Sequence, residues 1–439
     1  MKKKQQQAIY EKMHKNTVYS KDAIKPAFRR PKVSNNMYYE DFYDDDFEIE
    51  KPHKKIKVVN PNACPLYKKC GGCQLQQFTY AEQIDYKQNL VNKHLKKFGN
   101  VSPIISMASP YNYRNKVQSA FAEEKNGRII AGVYQSRTKH IVDTHRCMLE
   151  NKLASKIIYT IKNDMKDFKI TPFNPYKGSG QIRHILVRVA EGTGEVMVVL
   201  VCVSPILPNA KHFVRHLVSA FPQIKTIVLN VNKDYDGLML SKHEKVLYGP
   251  GYIIDKLCGK KFRISSDSFY QVNSIQTKKL YNTAIDMAGL SGKENVIDAY
   301  CGVGTIGIIA SDKANRVLGI ELNKDAISDA KYNAQLNNIK NIEFVADDAT
   351  DFMLEMANNN ERCDVLFMDP PRSGSTPDFL NSAIKLAPKK IVYISCNVET
   401  QARDIPLLID GGYRVQKIQP VDMFPHTRHI EAIIMMTRA

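Results

Sequence analysis

From about residue 263 the chain repeats one rhythm, a short apolar strand followed by a helical segment, through NVIDAY, RVLGIEL, IEFVADD, DVLFMDP, KIVYISC and EAIIMM. Strands of this length alternating with helices predict a doubly wound, mostly parallel α/β sheet and exclude an all-α or all-β fold for this part of the chain. Ligands on such sheets bind outside the carboxyl ends of the strands, so the residues that leave each strand carry the chemistry.

The first strand runs into DAYCGVGTIG (298–307), whose glycines let the backbone approach a ligand closely. Glu321 ends the second strand, where a carboxylate can accept both hydrogen bonds of a ribose diol. The third strand ends in Asp347-Asp348, suited to an adenine amino group, and the fourth in DPPR (369–372). A Gly-rich turn serves NAD, FAD and S-adenosylmethionine alike. A DPP turn, which projects Asp369 and backbone carbonyls towards a methyl donor and its acceptor, favours a methyltransferase over a dehydrogenase. The same residues would also suit a plain Pro-Pro loop stop.

The fifth strand ends at Cys396, between Ser395 and Asn397. Cys202, Cys258 and Cys363 read as small buried hydrophobes, whereas a thiolate at Cys396 is placed as a nucleophile. Carbon 5 of uracil is a poor nucleophile. A thiolate adding at carbon 6 turns the ring into an enolate that can attack a sulfonium methyl, and the adduct must then lose its C5 proton to a base. Glu431, in HTRHIE (426–431), is the candidate, with a carboxyl whose pKa is raised by a partly dry pocket. A surface glutamate paired with Arg428, or a metal site using the two histidines, are the other readings of that motif.

Upstream, CPLYKKCGGC (64–73) places three cysteines within ten residues. Zinc, an iron–sulfur cluster or a redox dithiol would all suit this spacing, and a closed thiolate site requires a fourth ligand. Thr79 and Glu82 have capping-box spacing ahead of helical-interval residues Tyr80, Ile84, Val91, Leu95 and Phe98. Two hairpins follow, VQSAFAEE with RIIAGVY around Asn126-Gly127, and IRHILVRV with EVMVVLVCV around EGTG. Pro208 opens a helix and KTIVLNV gives one more strand. Residues 1–58 are rich in Lys, Gln and Asn and read as a disordered basic tail. The expected organisation is thus a tail over 1–58, a β-rich central domain over 59–262 and a catalytic domain over 263–439.

Sixty-three Lys and Arg face 45 Asp and Glu, a formal charge of +18, which suits a polyanionic partner such as RNA as well as plain solubility. The longest apolar run, VMVVLVCV at 196–203, is too short to span a membrane. The start MKKKQQQAIYEKMHK has no apolar signal region, and nine cysteines without one suggest reduced thiols, metal or catalysis in a cytoplasmic protein.

From Cys64 onward the chain resembles the RNA uracil-5-methyltransferases that make 5-methyluridine in ribosomal and transfer RNA, on FYQVN (269–273), DAYCGVGTIG, DPPRSG, ISCN and HIE. The resemblance implies a Rossmann-like S-adenosylmethionine domain behind a β-rich central domain. It implies Cys396 as nucleophile, Glu431 as base, and cofactor contacts at Gln271, Tyr300, Thr305, Glu321, Asp348 and Asp369. It also implies a [4Fe–4S] cluster on Cys64, Cys70, Cys73 and Cys147, with a structural and RNA-positioning role. YRNK (113–116) and Arg183-His184 resemble RNA-facing segments. The expected substrate is a flipped or single-stranded uridine of 23S ribosomal RNA, handled by a monomer; transfer RNA, or RNA binding without catalysis, are the alternatives. Many relatives begin with a small β-barrel, for which residues 1–58 lack the alternation and the length.

Overall fold

The computed structural model describes residues 60–136, 138–234 and 239–439, which fall within one compact unit. The basic tail expected over 1–58 lies outside the described residues.

A one-turn helix α1 (Tyr67–Cys70) within the cysteine segment is followed by α2 (Tyr80–Leu95). The capping box is formed: Thr79 accepts from the Glu82 N–H, and the Glu82 carboxylate accepts from the Thr79 N–H at 2.7 Å.

Seven strands then build the first sheet: β1 (Lys116–Glu123), β2 (Ile129–Tyr134), β3 (Ile141–Asp143), β4 (Ile182–Val189), β5 (Val196–Cys202), β6 (Ile224–Val231) and β7 (Glu244–Tyr248), in the order β3-β2-β1-β4-β5-β6-β7. Both expected hairpins are present, β1 with β2 and β4 with β5. Helix α3 (Lys152–Asp164) packs on this sheet, and α4 (Ala210–Ala220) carries the crossover that lets β6 run parallel to β5. Every residue of β5 is buried, and its two faces go to different partners. Val196, Val198 and Leu200 meet Ile157, Ile161 and Phe213 of α3 and α4. Met197, Val199 and Val201 share a core with the second half of the chain. This is the period-2 division of a strand buried on both sides.

The hairpin β8 (Tyr252–Leu257) and β9 (Lys260–Ser265) joins the halves, and the expected boundary at 262/263 falls inside β9. Cys258 departs from its expected place as a buried strand residue. It is half-buried in the hairpin turn at φ +49, ahead of Gly259 at +80, because a two-residue turn matching the strand twist needs positive φ at both positions. Cys202 and Cys363 are buried as expected.

The second sheet follows helix α5 (Ser274–Ala288). It comprises β10 (Asn295–Ala299), β11 (Arg316–Glu321), β12 (Ile342–Ala346), β13 (Val365–Met368), β14 (Lys390–Ser395), β15 (Tyr413–Val421) and β16 (Glu431–Arg438), interleaved with α6 (Thr305–Ala310), α7 (Lys324–Leu336), α8 (Ala349–Asn358), α9 (Pro377–Leu386) and α10 (Val398–Asp410). The order is β12-β11-β10-β13-β14-β16-β15. The first five strands are parallel; β16 enters antiparallel between β14 and β15. Strand order reverses direction at β10, which opens a crevice beyond the carboxyl ends of β10 and β13. Among the described residues no helix is long and apolar enough to cross a membrane.

Candidate active site

The loop leaving β10 is contorted: Tyr300, Gly302 and Gly304 have φ of +61, +55 and +80. A Cβ on Gly304 would stand 2.6 Å from the Phe344 ring, so packing demands glycine there, while one on Gly302 would meet nothing. The Gly302 backbone therefore faces open space where a ligand can lie against it. Tyr300 rests on Phe379 with ring centroids 4.9 Å apart, and the half-buried Thr305 opens α6.

The carboxylates expected at the strand ends occupy one edge, with unequal freedom. Glu321 accepts from the Gly302 N–H at 3.2 Å and the Asn323 N–H at 2.9 Å, bracing the glycine loop. Asp348 is the N-cap of α8, accepting from the Thr350 N–H at 2.8 Å. Its place at the edge thus has a sufficient explanation in helix capping. Asp298 is buried; one oxygen accepts from the Gly307 N–H at 2.7 Å and the other has no hydrogen-bond partner among the described residues. Burial pushes the Asp298 carboxyl up to about 7 and does the same to Asp369, beyond β13.

The β14–β16 register carries the rest of the site. Ser395 pairs with Ala432, so the next residues outward, Cys396 and Glu431, face one another where β14 ends and β16 begins. Glu431 is 3% exposed, which removes the surface-glutamate reading. Its burial, and the charge of Asp369, hold its carboxyl well above the ordinary range. Half-buried Cys396 lies in the turn from β14 to α10, capped by Asn397, whose side chain accepts from the Glu399 N–H at 3.0 Å. The Asn397 amide and the Thr400 hydroxyl each donate to the Arg372 carbonyl at 3.3 Å, tying the cysteine turn to the DPPR turn.

The Gln271 side chain meets the Tyr281 hydroxyl, and its carbonyl accepts from the Asn115 amide at 3.1 Å. Tyr281, buried on α5, has its phenol pushed up by burial and by Asp369, Glu431 and Asp298, so all three carboxyls lie within electrostatic reach of it. No motif singled out Tyr281, although it lies on an apolar helical face with Leu280, Ala284, Ile285 and Ala288.

The histidines of HTRHIE are held by packing. His426 is 1% exposed, stacked on Tyr111 at 4.9 Å, and pushed down to about 4 by burial. Among the described residues no group of three or more His, Cys, Asp or Glu is placed to hold a metal ion. Cys64, Cys70, Cys73 and Cys147 are half-buried and none forms a disulfide. Cys73 and Cys147 pack with Tyr80 against Met107, Tyr113 and Leu149. Cys73 lies within electrostatic reach of Cys70 and Cys64, and Cys147 of Cys73. Half of YRNK (113–116) is structural rather than RNA-facing. Tyr113 is buried and donates to the Pro425 carbonyl at 3.0 Å, and Asn115 is buried against Gln271 and Ser274. Arg114 and Lys116 between and beside them are half-buried.

Residues 79–439 match the family described as tRNA (Uracil-5-)-methyltransferase. An uncharacterized RNA methyltransferase of Halalkalibacterium halodurans is 41% identical over 378 residues, spanning 85% of this chain and 82% of that one. One of Clostridium acetobutylicum is 39% identical over 432 residues, 96% and 92% of the two chains. The solved structure of a Pyrococcus abyssi tRNA (uracil-54, C5)-methyltransferase with S-adenosyl-L-homocysteine superposes with a TM-score of 0.72 at 28% identity, over 83% of this chain and 86% of that one. The chain belongs to the RNA uracil-5-methyltransferase family. It is an S-adenosylmethionine-dependent enzyme of that class.

Proposed function

We propose that the protein methylates carbon 5 of a uridine in 23S ribosomal RNA, with Cys396 as nucleophile and Glu431 as base. The observation that carries the two residue roles is the pairing of Ser395 with Ala432, which sets Cys396 opposite a buried Glu431. The Cys396 thiolate adds to carbon 6 of a uracil turned out of its stack, and the ring becomes an enolate. S-adenosylmethionine, when bound, supplies an electrophilic methyl group on a sulfonium. Once carbon 5 is methylated, Glu431 takes its proton; the electron pair of that C–H bond re-forms the ring double bond and expels the Cys396 thiolate. Gln271, Tyr300, Thr305, Glu321, Asp348 and Asp369 are the proposed cofactor contacts. The open face of Gly302 and the unpartnered oxygen of Asp298 fit a polar, cationic guest. Asp369 keeps a carboxyl beside the reacting carbon.

Cys64, Cys70, Cys73 and Cys147 are the proposed holders of a [4Fe–4S] cluster with a structural role; none of the four is in a disulfide, and Cys73 lies within electrostatic reach of Cys64, Cys70 and Cys147, although as placed they do not form a ready-made metal site. Burial and the neighbouring cysteines push the Cys73 thiol up to about 12, so a cation is required to make it a ligand. Iron and acid-labile sulfide in anaerobically purified protein support this assignment, and stoichiometric zinc refutes it. The domain boundaries, a cytoplasmic location and a monomeric state belong to the same reading. Transfer RNA is the second substrate reading, favoured by the Pyrococcus abyssi enzyme, which acts on uracil 54 of tRNA.

Nucleoside mass spectrometry on separated ribosomal and transfer RNA from cells lacking the protein decides between the two. A loss of 5-methyluridine confined to ribosomal RNA is expected, and one confined to transfer RNA transfers the same chemistry to that substrate. Cys396→Ala should abolish methylation with cofactor affinity kept, and Glu431→Gln should trap an RNA adduct that survives denaturing electrophoresis. Full turnover by either variant would remove its residue from the mechanism.

A further inference from the structure

The loop that delivers Glu431 is held by a buried ion pair from the helix behind the cysteines. Lys87 of α2 and Asp422, just beyond β15, are both 0% exposed, with Nζ and Oδ1 2.6 Å apart. Lys87 also donates to the Phe424 carbonyl at 3.0 Å. The Tyr80 hydroxyl donates to the other Asp422 oxygen at 2.8 Å and accepts from the Met107 N–H at 2.8 Å. One turn along α2, Gln83 clasps His426: its Oε1 accepts the His426 N–H at 2.9 Å, and its Nε2 lies 3.2 Å from Nδ1. The Leu75 N–H donates to the His426 carbonyl at 3.0 Å, so the segment carrying Cys73 is fastened to the same loop. His426 itself has a φ of +69, a conformation that persists when its surroundings over-determine it.

A fully buried ion pair is weak as a device for stability, because apolar side chains of similar volume hold a core at least as well. Its distinctive effect is direction, since two charges and their hydrogen bonds specify one path for the backbone where apolar contacts tolerate several. The loop so specified ends at the buried carboxyl of Glu431, at the start of β16. We infer that Lys87, Asp422 and Tyr80 are positioning residues for Glu431, so that proton removal from the methylated adduct depends on the hold of α2 on the 422–430 loop. This rests on the roles proposed above for Cys396 and Glu431.

The test compares wild type, Glu431→Gln, the double variant Lys87→Met/Asp422→Leu, which leaves no lone buried charge, and the milder Tyr80→Phe. Each full-length protein is mixed with S-adenosylmethionine and total RNA from cells lacking the protein. Adduct on a denaturing gel and 5-methyluridine by mass spectrometry are followed in one time course, with thermal midpoints beside them. The double variant should raise the ratio of adduct to product by about 10- to 100-fold, the scale on which misplacing a catalytic group by about 1 Å acts, and Tyr80→Phe should move the ratio the same way by less. A double variant with the wild-type ratio overturns the inference. So does one that loses adduct and product in equal proportion, which marks a purely structural role. If the double variant fails to fold, Tyr80→Phe decides alone: a raised ratio supports the inference and an unchanged ratio overturns it. Absence of adduct with Glu431→Gln sinks the proposed mechanism itself; adduct with Glu431→Gln but not with the positioning variants sinks only this inference.

Discussion

Buried Asp298 and Glu431 and half-buried Asp369 are acids whose titration is set by desolvation before anything else. The step assigned to Glu431 needs its ionised form, while burial and Asp369 favour the protonated one. Single-turnover release of the adduct should therefore rise with pH, above the range of an ordinary carboxylate. Asp369→Asn, which removes a neighbouring negative charge, should move that rise to lower pH; a rise that stays in place would detach Asp369 from Glu431. Stability carries the matching signature. A carboxyl whose folded pKa is raised stabilises the fold below its unfolded value of about 3.9, and that contribution is lost as pH climbs through the folded value. Asp298→Asn should thus raise the thermal midpoint of cofactor-free protein at pH 8 by far more than at pH 4. The gain is up to a few kcal/mol, readable by calorimetry at the two pH values. Cys396 and Glu431 were legible as motifs, but that they face one another was not, because it depends on an antiparallel register between distant segments.

Among the elements, α2 combines a complete capping box with a face that meets the 422–426 loop, so its first turn matters to both fold and site. Thr79→Ala should cost about 1 kcal/mol, seen as a lower denaturant midpoint with an unchanged slope. The parallel strands and the helices between them were readable because a strand buried on both faces has to be a short apolar run. β15 escaped, since its register shifts between Val415 and Lys417 and Pro420 interrupts its pattern, which hides the period of two. β7 escaped for another reason: it lies at a sheet edge with four of its five residues exposed, so burial imposes no pattern on it. The helical spacing of α5 was present in Leu280, Tyr281, Ala284, Ile285 and Ala288, behind an Asn273 cap, and the FYQVN motif before it drew attention to the turn instead.

At the scale of the molecule, the run VMVVLVCV announced a strand covered on both sides without saying by what. The cover on one side is the second half of the chain, because Met197, Val199 and Val201 share its core. Charge is divided as well. The chain carries +18 overall, so its affinity for RNA should fall steeply and log-linearly with salt, about 0.7 decades per decade of salt for each phosphate contacted on a single strand. Removing residues 1–50 should flatten that slope in a filter-binding titration, and an unchanged slope would dismiss a role for the tail. The crevice, by contrast, gathers Asp298, Asp369 and Glu431, whose carboxyls desolvation holds towards their protonated forms, and a cationic guest there would oppose that. A sulfonium donor entering there releases a proton that its neutral thioether product does not. Donor should therefore outcompete spent product increasingly as the medium becomes more alkaline, and the uptake of each should differ in heat between buffers of different ionisation enthalpy. With the cofactor contacts proposed above, exchange of fresh for used cofactor would thus be a proton-coupled event.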